Sequence, residues 1–205
     1  MALNGSGVSF ALINWYAIPQ KNDDVSISRG EVVDAVCSKD DVRQVTQRLH
    51  ELPLSHIRPF RLIGIFPREF AVVQWRWDLA GLTPVRHEWQ PQQWISSGLD
   101  EPRAQEIRGR TFAAAWEQAD FGSLAWLRRL HGSHSPATGP FSTCMHRSDA
   151  ATVSYSEIEV TGQHADFTYR AGPPCAPVAE FKLGLLVDWP RLKPAANRCM
   201  LPLSV

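Results

Sequence analysis

The residues best equipped for chemistry crowd into one stretch, FSTCMHRSDAATVSYSEIEV, running from Phe141 to Val160. Cys144 and His146 stand two positions apart, so on an extended strand both side chains leave the same face and a thiol–imidazole pair can form. The same two residues equally fit a small buried cysteine beside a surface histidine, since an unactivated cysteine packs as a small apolar group. Nucleophilic catalysis would also need a third group to orient the imidazole, and no such residue is identifiable. Two more donors lie upstream. His131, His134, Cys144 and His146 together form a nitrogen and sulfur set that zinc accepts. Structural zinc sites usually present two tight ligand pairs, which this spacing lacks. The expectation is therefore no metal, with His131 closing a helix and His134 sitting in a loop.

Thr152, Ser154 and Ser156 fall at every second position and share a strand face with Ile158 and Val160. The opposite face carries Glu157 and Glu159, and carboxylates seek water. The hydroxyl row is accordingly expected to point between layers as a pocket wall, where each hydroxyl needs a partner. A plain strand end with one wet face is the alternative. Ser96, Ser97 and Gly98 end a strand just before a capped helix, where backbone amides could hold an anion or oxyanion. The rival there is an ordinary strand–turn–helix junction. Arg29, beside Gly30 at another helix start, has the same two readings, with a solvated surface as the default.

The elements that must position these residues follow from periodicity. GVSFALINWY, from Gly7 to Tyr16, is apolar on both alternations, which predicts a strand covered on both faces. Ser28-x-x-Glu31 and Ser38-x-x-Asp41 predict the starts of two short helices, the second with Val42, Val45 and Leu49 as its apolar stripe. FRLIGIF and EFAVVQWRW form a hairpin across Pro67–Glu69, and TPVRHEW and QQWISS continue the strand run. Asp100 caps a helix with Pro102 in its first turn and Ile107, Phe112, Ala115 and Trp116 on its buried side. SLAWLRRL is a further helix. A second hairpin turns at Thr161-Gly162. Strands, then helices, then strands predict an α+β fold or a layered αββα sandwich.

Composition narrows the function classes. The chain has 205 residues and 44% hydrophobic content, enough for a full core, and one domain over residues 1–175 is expected, followed by a weakly patterned, Pro-rich tail over 176–205. Lys and Arg number 21, as do Asp and Glu, so no basic stripe favours nucleic acid. No apolar run approaches the roughly 18 residues that span a bilayer, and no signal peptide is visible at the start. Four cysteines without any C-x-x-C pairing read as reduced thiols of a cytoplasmic protein.

Several blocks, in order along the chain, resemble a known family. GVSFALINWY, SRGEVV, WISSGLDEPRA, FSTCMHRSDAATVSYSEIEV and YRAGPPC are similar to the bacterial branch of the transport and Golgi organisation protein 2 family, also called NRDE after an Asn-Arg-Asp-Glu motif. The resemblance runs in broken blocks from Ala2 to Cys175. It implies an αββα sandwich like that of N-terminal-nucleophile hydrolases. An exposed leading cysteine would act there as nucleophile, with its own α-amine as base. Here residue 2 is Ala and the Asn-Arg-Asp-Glu motif is absent. The expectation is thus an N-terminally truncated, catalytically incomplete member whose full-length parent is an amide or ester hydrolase. Asn14 joins Arg29, Ser96, Ser97, Gly98, Cys144, His146, Thr152, Ser154 and Ser156 as pocket candidates, with a small-molecule ligand or substrate as partner. Eukaryotic relatives linked to haem trafficking and lipid metabolism supply the rival reading, a non-enzymatic haem or acyl carrier without a catalytic set. Its eight tryptophans fit that rival.

Overall fold

The computed structural model describes residues 1–19 and 26–187, and the backbone of Leu203–Ser204. The expectation for the tail therefore lies outside the described residues over 188–202. The fold is mixed α/β. The described residues group into two compact units. One is Met1–Trp89 with Val160–Ala165 and 185–187, and the other is Gln90–Glu159 with Asp166–Gly184 and 203–204.

The first unit is built on a five-stranded antiparallel sheet. Its strands are β1 (Ala2–Leu3), β2 (Ser9–Asn14), β3 (Phe60–Phe66), β4 (Ala71–Trp77) and β5 (Leu82–His87), in that spatial order. The expected hairpin is present, turning through a 3-10 turn at Pro67–Glu69 with Phe70 in the left-handed region at φ 46°. Both faces of β2 and β3 are largely buried, as strands without a polar face require. On one face Val8, Phe10, Phe60, Leu62, Phe66, Val73 and Trp75 pack with α1 (Gly30–Val36) and α2 (Val42–His50), through Val32, Val36, Val45 and Leu49. The Trp75 indole donates to Thr46 Oγ1 at 3.0 Å, which fixes α2 over the sheet. Gly64 lies on this face for a steric reason. A Cβ there would stand 2.8 Å from Phe66 Cε2 and 2.9 Å from Trp75 Cζ3.

The helix starts refine the capping expectation. Asp41, not Ser38, caps α2: its backbone is extended and its carboxylate accepts from the Gln44 amide at 2.8 Å. Ser28 accepts from Gly30 N at 3.2 Å, while Arg29 takes the cap position of α1 in a helical conformation.

The second unit contains β6 (Gln92–Gln93), α3 (Glu101–Trp116), α4 (Leu124–His131) and most residues of a three-stranded sheet of β7 (Tyr155–Thr161), β8 (His164–Arg170) and β9 (Glu180–Leu186). Strand β10 (Leu203–Ser204) pairs in parallel with β6. Asp100 caps α3 as expected, accepting from Arg103 N at 2.9 Å. Ser123 caps α4 in the same way, accepting from Trp126 N at 3.0 Å. Of the residues expected on the buried side of α3, Ala115 is buried and Phe112 packs beside it, whereas Trp116 is exposed against Phe121. The reason is helical phase, since Trp116 lies about half a turn around the helix from Ile107. QQWISS is strand only at Gln92–Gln93. Among the described residues, no helix is long and apolar enough to cross a membrane.

Candidate functional site

Two of the predicted site residues meet in one cavity. Asn14 closes β2 and Arg29 opens α1, and both line an open pocket of about 540 Å³ with Leu12, Ser26, Ile27, Ser28, Gly30 and Arg58. A parallel bridge between Ile27 and Ile57 places Ser26–Ser28 alongside the segment that carries Arg58. The Arg29 guanidinium donates to the Pro59 carbonyl at 3.1 Å and lies 6.0 Å from the centre of the Tyr16 ring. Burial pulls the Arg29 pKa below its ordinary value; Tyr16 opposes that shift and the charge of Arg58 adds to it. Arg29 stays cationic regardless, because guanidinium starts so far above neutrality. Asn14 donates its side-chain amide to the Tyr16 hydroxyl at 2.7 Å. The amides at the entrance of α1 are already engaged. Gly30 N donates to Ser28 Oγ, Glu31 N to Ser28 O and Val32 N to Arg29 O. The charged side chains on this lining are therefore those of Arg29 and Arg58.

The Ser96–Gly98 junction has the ordinary character. Ser97 Oγ accepts from the amides of Leu99 and Asp100 at 3.3 and 3.5 Å, and the Ser96 carbonyl accepts from Arg108 at 3.3 Å. The Leu99 and Asp100 amides are thus engaged by a hydroxyl of their own turn.

The hydroxyl row differs from its expectation. Strand β7 begins only at Tyr155, so Thr152 and Ser154 precede it. Thr152 instead ties down the preceding loop: its hydroxyl accepts from Met145 N and its amide donates to Met145 O, both at 2.9 Å. Within β7 the parity is reversed, with Tyr155 and Glu157 buried and Ser156 half-buried. Glu157 tolerates burial because Arg128 grips both its oxygens, at 2.9 and 2.6 Å, and the Tyr155 hydroxyl donates to it at 2.8 Å. Desolvation works to raise the Glu157 pKa, but these donors outweigh it and hold the carboxyl below its usual range.

Cys144 and His146 do converge, though from a turn-rich loop and not a strand. Cys144 Sγ lies 3.5 Å from His146 Nε2, and Cys175 Sγ approaches the same nitrogen at 3.4 Å. His134 completes the group, its ring centre 5.1 Å from that of His146. One donor atom from each of His134, Cys144, His146 and Cys175 falls within 4.8 Å of every other. Cys144 is fully buried, the two histidines are half-buried and Cys175 is exposed. Burial pushes the Cys144 thiol up to about 11, with a hydrogen bond to Cys175 adding to the shift. A thiol so protonated at neutral pH is a poor nucleophile. His131 does not join the group: it packs against Tyr155 at 5.1 Å. Sequence reasoning assembled three of the four donors and missed Cys175. The available signal was the GPPC turn, whose prolines present a cysteine from a rigid bend.

No model of a known protein family matches this chain, and no curated protein matches it.

Proposed function

We propose that the chain recognises a small, carboxylate-bearing amide or ester, in the αββα framework of an N-terminal-nucleophile-type hydrolase of the NRDE family. The observation that supports this reading most directly is the shared pocket of Asn14, Arg29 and Arg58. Two cations border one open cavity, and the charge of Arg58 raises the cost of the Arg29 charge until an anion enters. A substrate carboxylate is the natural counter-charge, because guanidinium forks match its two oxygens. Asn14 has a side-chain amide suited to a substrate carbonyl, and Ser26 and Ser28 add hydroxyls for orientation.

The division of labour follows from the lining. Among the described residues, no cysteine borders the pocket. In this reading the described lining residues supply binding and carbonyl polarisation. A haem or acyl carrier would want an apolar wall, whereas only Leu12 and Ile27 are apolar among the larger lining residues.

Calorimetric titration with a small N-acyl amino acid tests the reading. Saturable, salt-sensitive binding is expected. Arg29→Gln and Arg58→Gln should each weaken it roughly 10- to 100-fold, the scale of one charge-assisted hydrogen bond. Binding that ignores both substitutions would refute the carboxylate assignment. A Soret shift on haem addition at micromolar protein, unaffected by either variant, would favour the carrier instead.

A further inference from the structure

The cluster of His134, Cys144, His146 and Cys175 lies in the second unit and has no part in the reading of the arginine pocket. We infer that these four side chains form a closed, tetrahedral Cys2His2 site for a zinc-like divalent cation, which fastens the loop between α4 and β7 to the turn after β8.

Geometry comes first. With metal–sulfur bonds of about 2.3 Å and metal–nitrogen bonds of about 2.0–2.1 Å, a tetrahedral site has sulfur–nitrogen edges of about 3.5 Å. The two edges at His146 Nε2 measure 3.5 Å to Cys144 and 3.4 Å to Cys175. His134 brings the fourth donor within the same 4.8 Å. Its Nε2 is buried and makes no hydrogen bond, an unmet demand in a site otherwise closely packed with polar atoms.

The donor chemistry selects the ion. Two thiolates and two neutral imidazoles exactly offset a divalent charge when each thiol releases its proton, so the filled site is electrically neutral where Cys144 is buried. Sulfur and nitrogen donors without a carboxylate suit zinc and exclude calcium or magnesium, which need oxygen. Four protein ligands leave no open position for water, so the site holds structure and does not activate a nucleophile.

The backbone that presents the donors is already fixed. Cys144 N donates to Ser133 O at 3.0 Å and His146 N to Gly139 O at 3.2 Å. Ser142 Oγ donates to the carbonyls of Gly139 and Cys144, and Arg108 donates to the carbonyls of Pro140 and Ser142. On the other side, Ala176 N donates to Pro173 O and closes the turn that carries Cys175. A loop of this length between a helix and a strand is otherwise uncommon without a clamp.

The test is cobalt titration of the full chain, reduced and stripped of metal by chelator. Expected are the visible bands of tetrahedral cobalt with a thiolate charge-transfer band, saturating at one equivalent and erased by zinc. Cys175→Ser, at an exposed position that folding tolerates, should abolish the charge-transfer pattern of two thiolates. It should weaken affinity by more than the roughly 10- to 100-fold that loss of an outer-shell partner costs. Cys37→Ser should leave the spectrum unchanged. Zinc should raise the unfolding temperature of the parent chain and not that of Cys175→Ser. A fully reduced chain that shows no charge-transfer band would overturn the inference. So would an unaltered spectrum in the Cys175→Ser, His146→Gln double variant, or a Cys144–Cys175 disulfide found by mass spectrometry in the natively purified protein.

Discussion

In the first unit every residue of β3 is buried, and β4 is nearly so; in the second, almost every residue of β9 is exposed. The contrast extends to what holds each unit. The first has a broad apolar cluster in which aromatic rings meet edge to face, Phe10 on Phe66 and Phe66 on Trp75. The second has a small cluster around Trp126 and a set of discrete polar links: Arg128 and Tyr155 to Glu157, Arg108 to three carbonyls, Arg170 to Glu180. Apolar burial is non-directional and spread over many residues, so it tolerates loose loops. Polar links are directional and few, so each one carries more of the local order.

The largest effect should come from the core of the first unit. Trp75→Ala is expected to cost about 3–5 kcal/mol, the range for deleting a fully buried large aromatic, read as a drop in denaturant midpoint. A cost below that of any polar substitution in the second unit would erase the contrast.

Next comes the Arg128–Glu157 link. Arg128→Ala leaves Glu157 buried with Tyr155 as its remaining donor among those described above, at a cost of about 2–3 kcal/mol. The pH dependence sharpens this. The folded pKa of Glu157 is held below its unfolded value, so its contribution is present above the ordinary glutamate range near 4.5 and is lost as pH falls through the folded pKa. Unfolding followed between pH 6 and 3 should show a shallower acid decline in Glu157→Gln than in the parent chain (pH limits roughly bracketing that range). Identical slopes would mean that the pair adds nothing specific.

The smallest effect belongs to a cap. Asp100→Ala should cost about 1 kcal/mol, because one exposed amide loses its acceptor while the helix keeps its packing.

Legibility in the sequence followed the range of the physics. The β3–β4 hairpin, the Asp100 cap and the start of α4 depend on residues within a few positions of one another, and a linear reading recovers them. The inward turn of Glu157 depends on Arg128, 29 residues upstream, and local parity assigned that carboxylate to water. Cys175 likewise lies 29 residues beyond His146, outside any compact ligand spacing. Arg29 was legible as a candidate from its place at a helix start and Asn14 through resemblance, yet their common cavity also draws on Arg58, on the far side of two helices in the chain. At Ser28 and Ser38 the capping motifs identified the right helices but the wrong acceptors, since backbone conformation selects between neighbouring polar residues.

The tight packing at Gly64 imposes an order on how this sequence can change. Phe66 and Trp75 already fill the space that a side chain at 64 would occupy. A methyl group can be accommodated there only after both the Phe66 ring and the Trp75 indole have given way, and adding it first passes through a crowded intermediate. Three positions on two strands thus form one heritable unit of shape, in which history, as well as composition, limits the accessible variants.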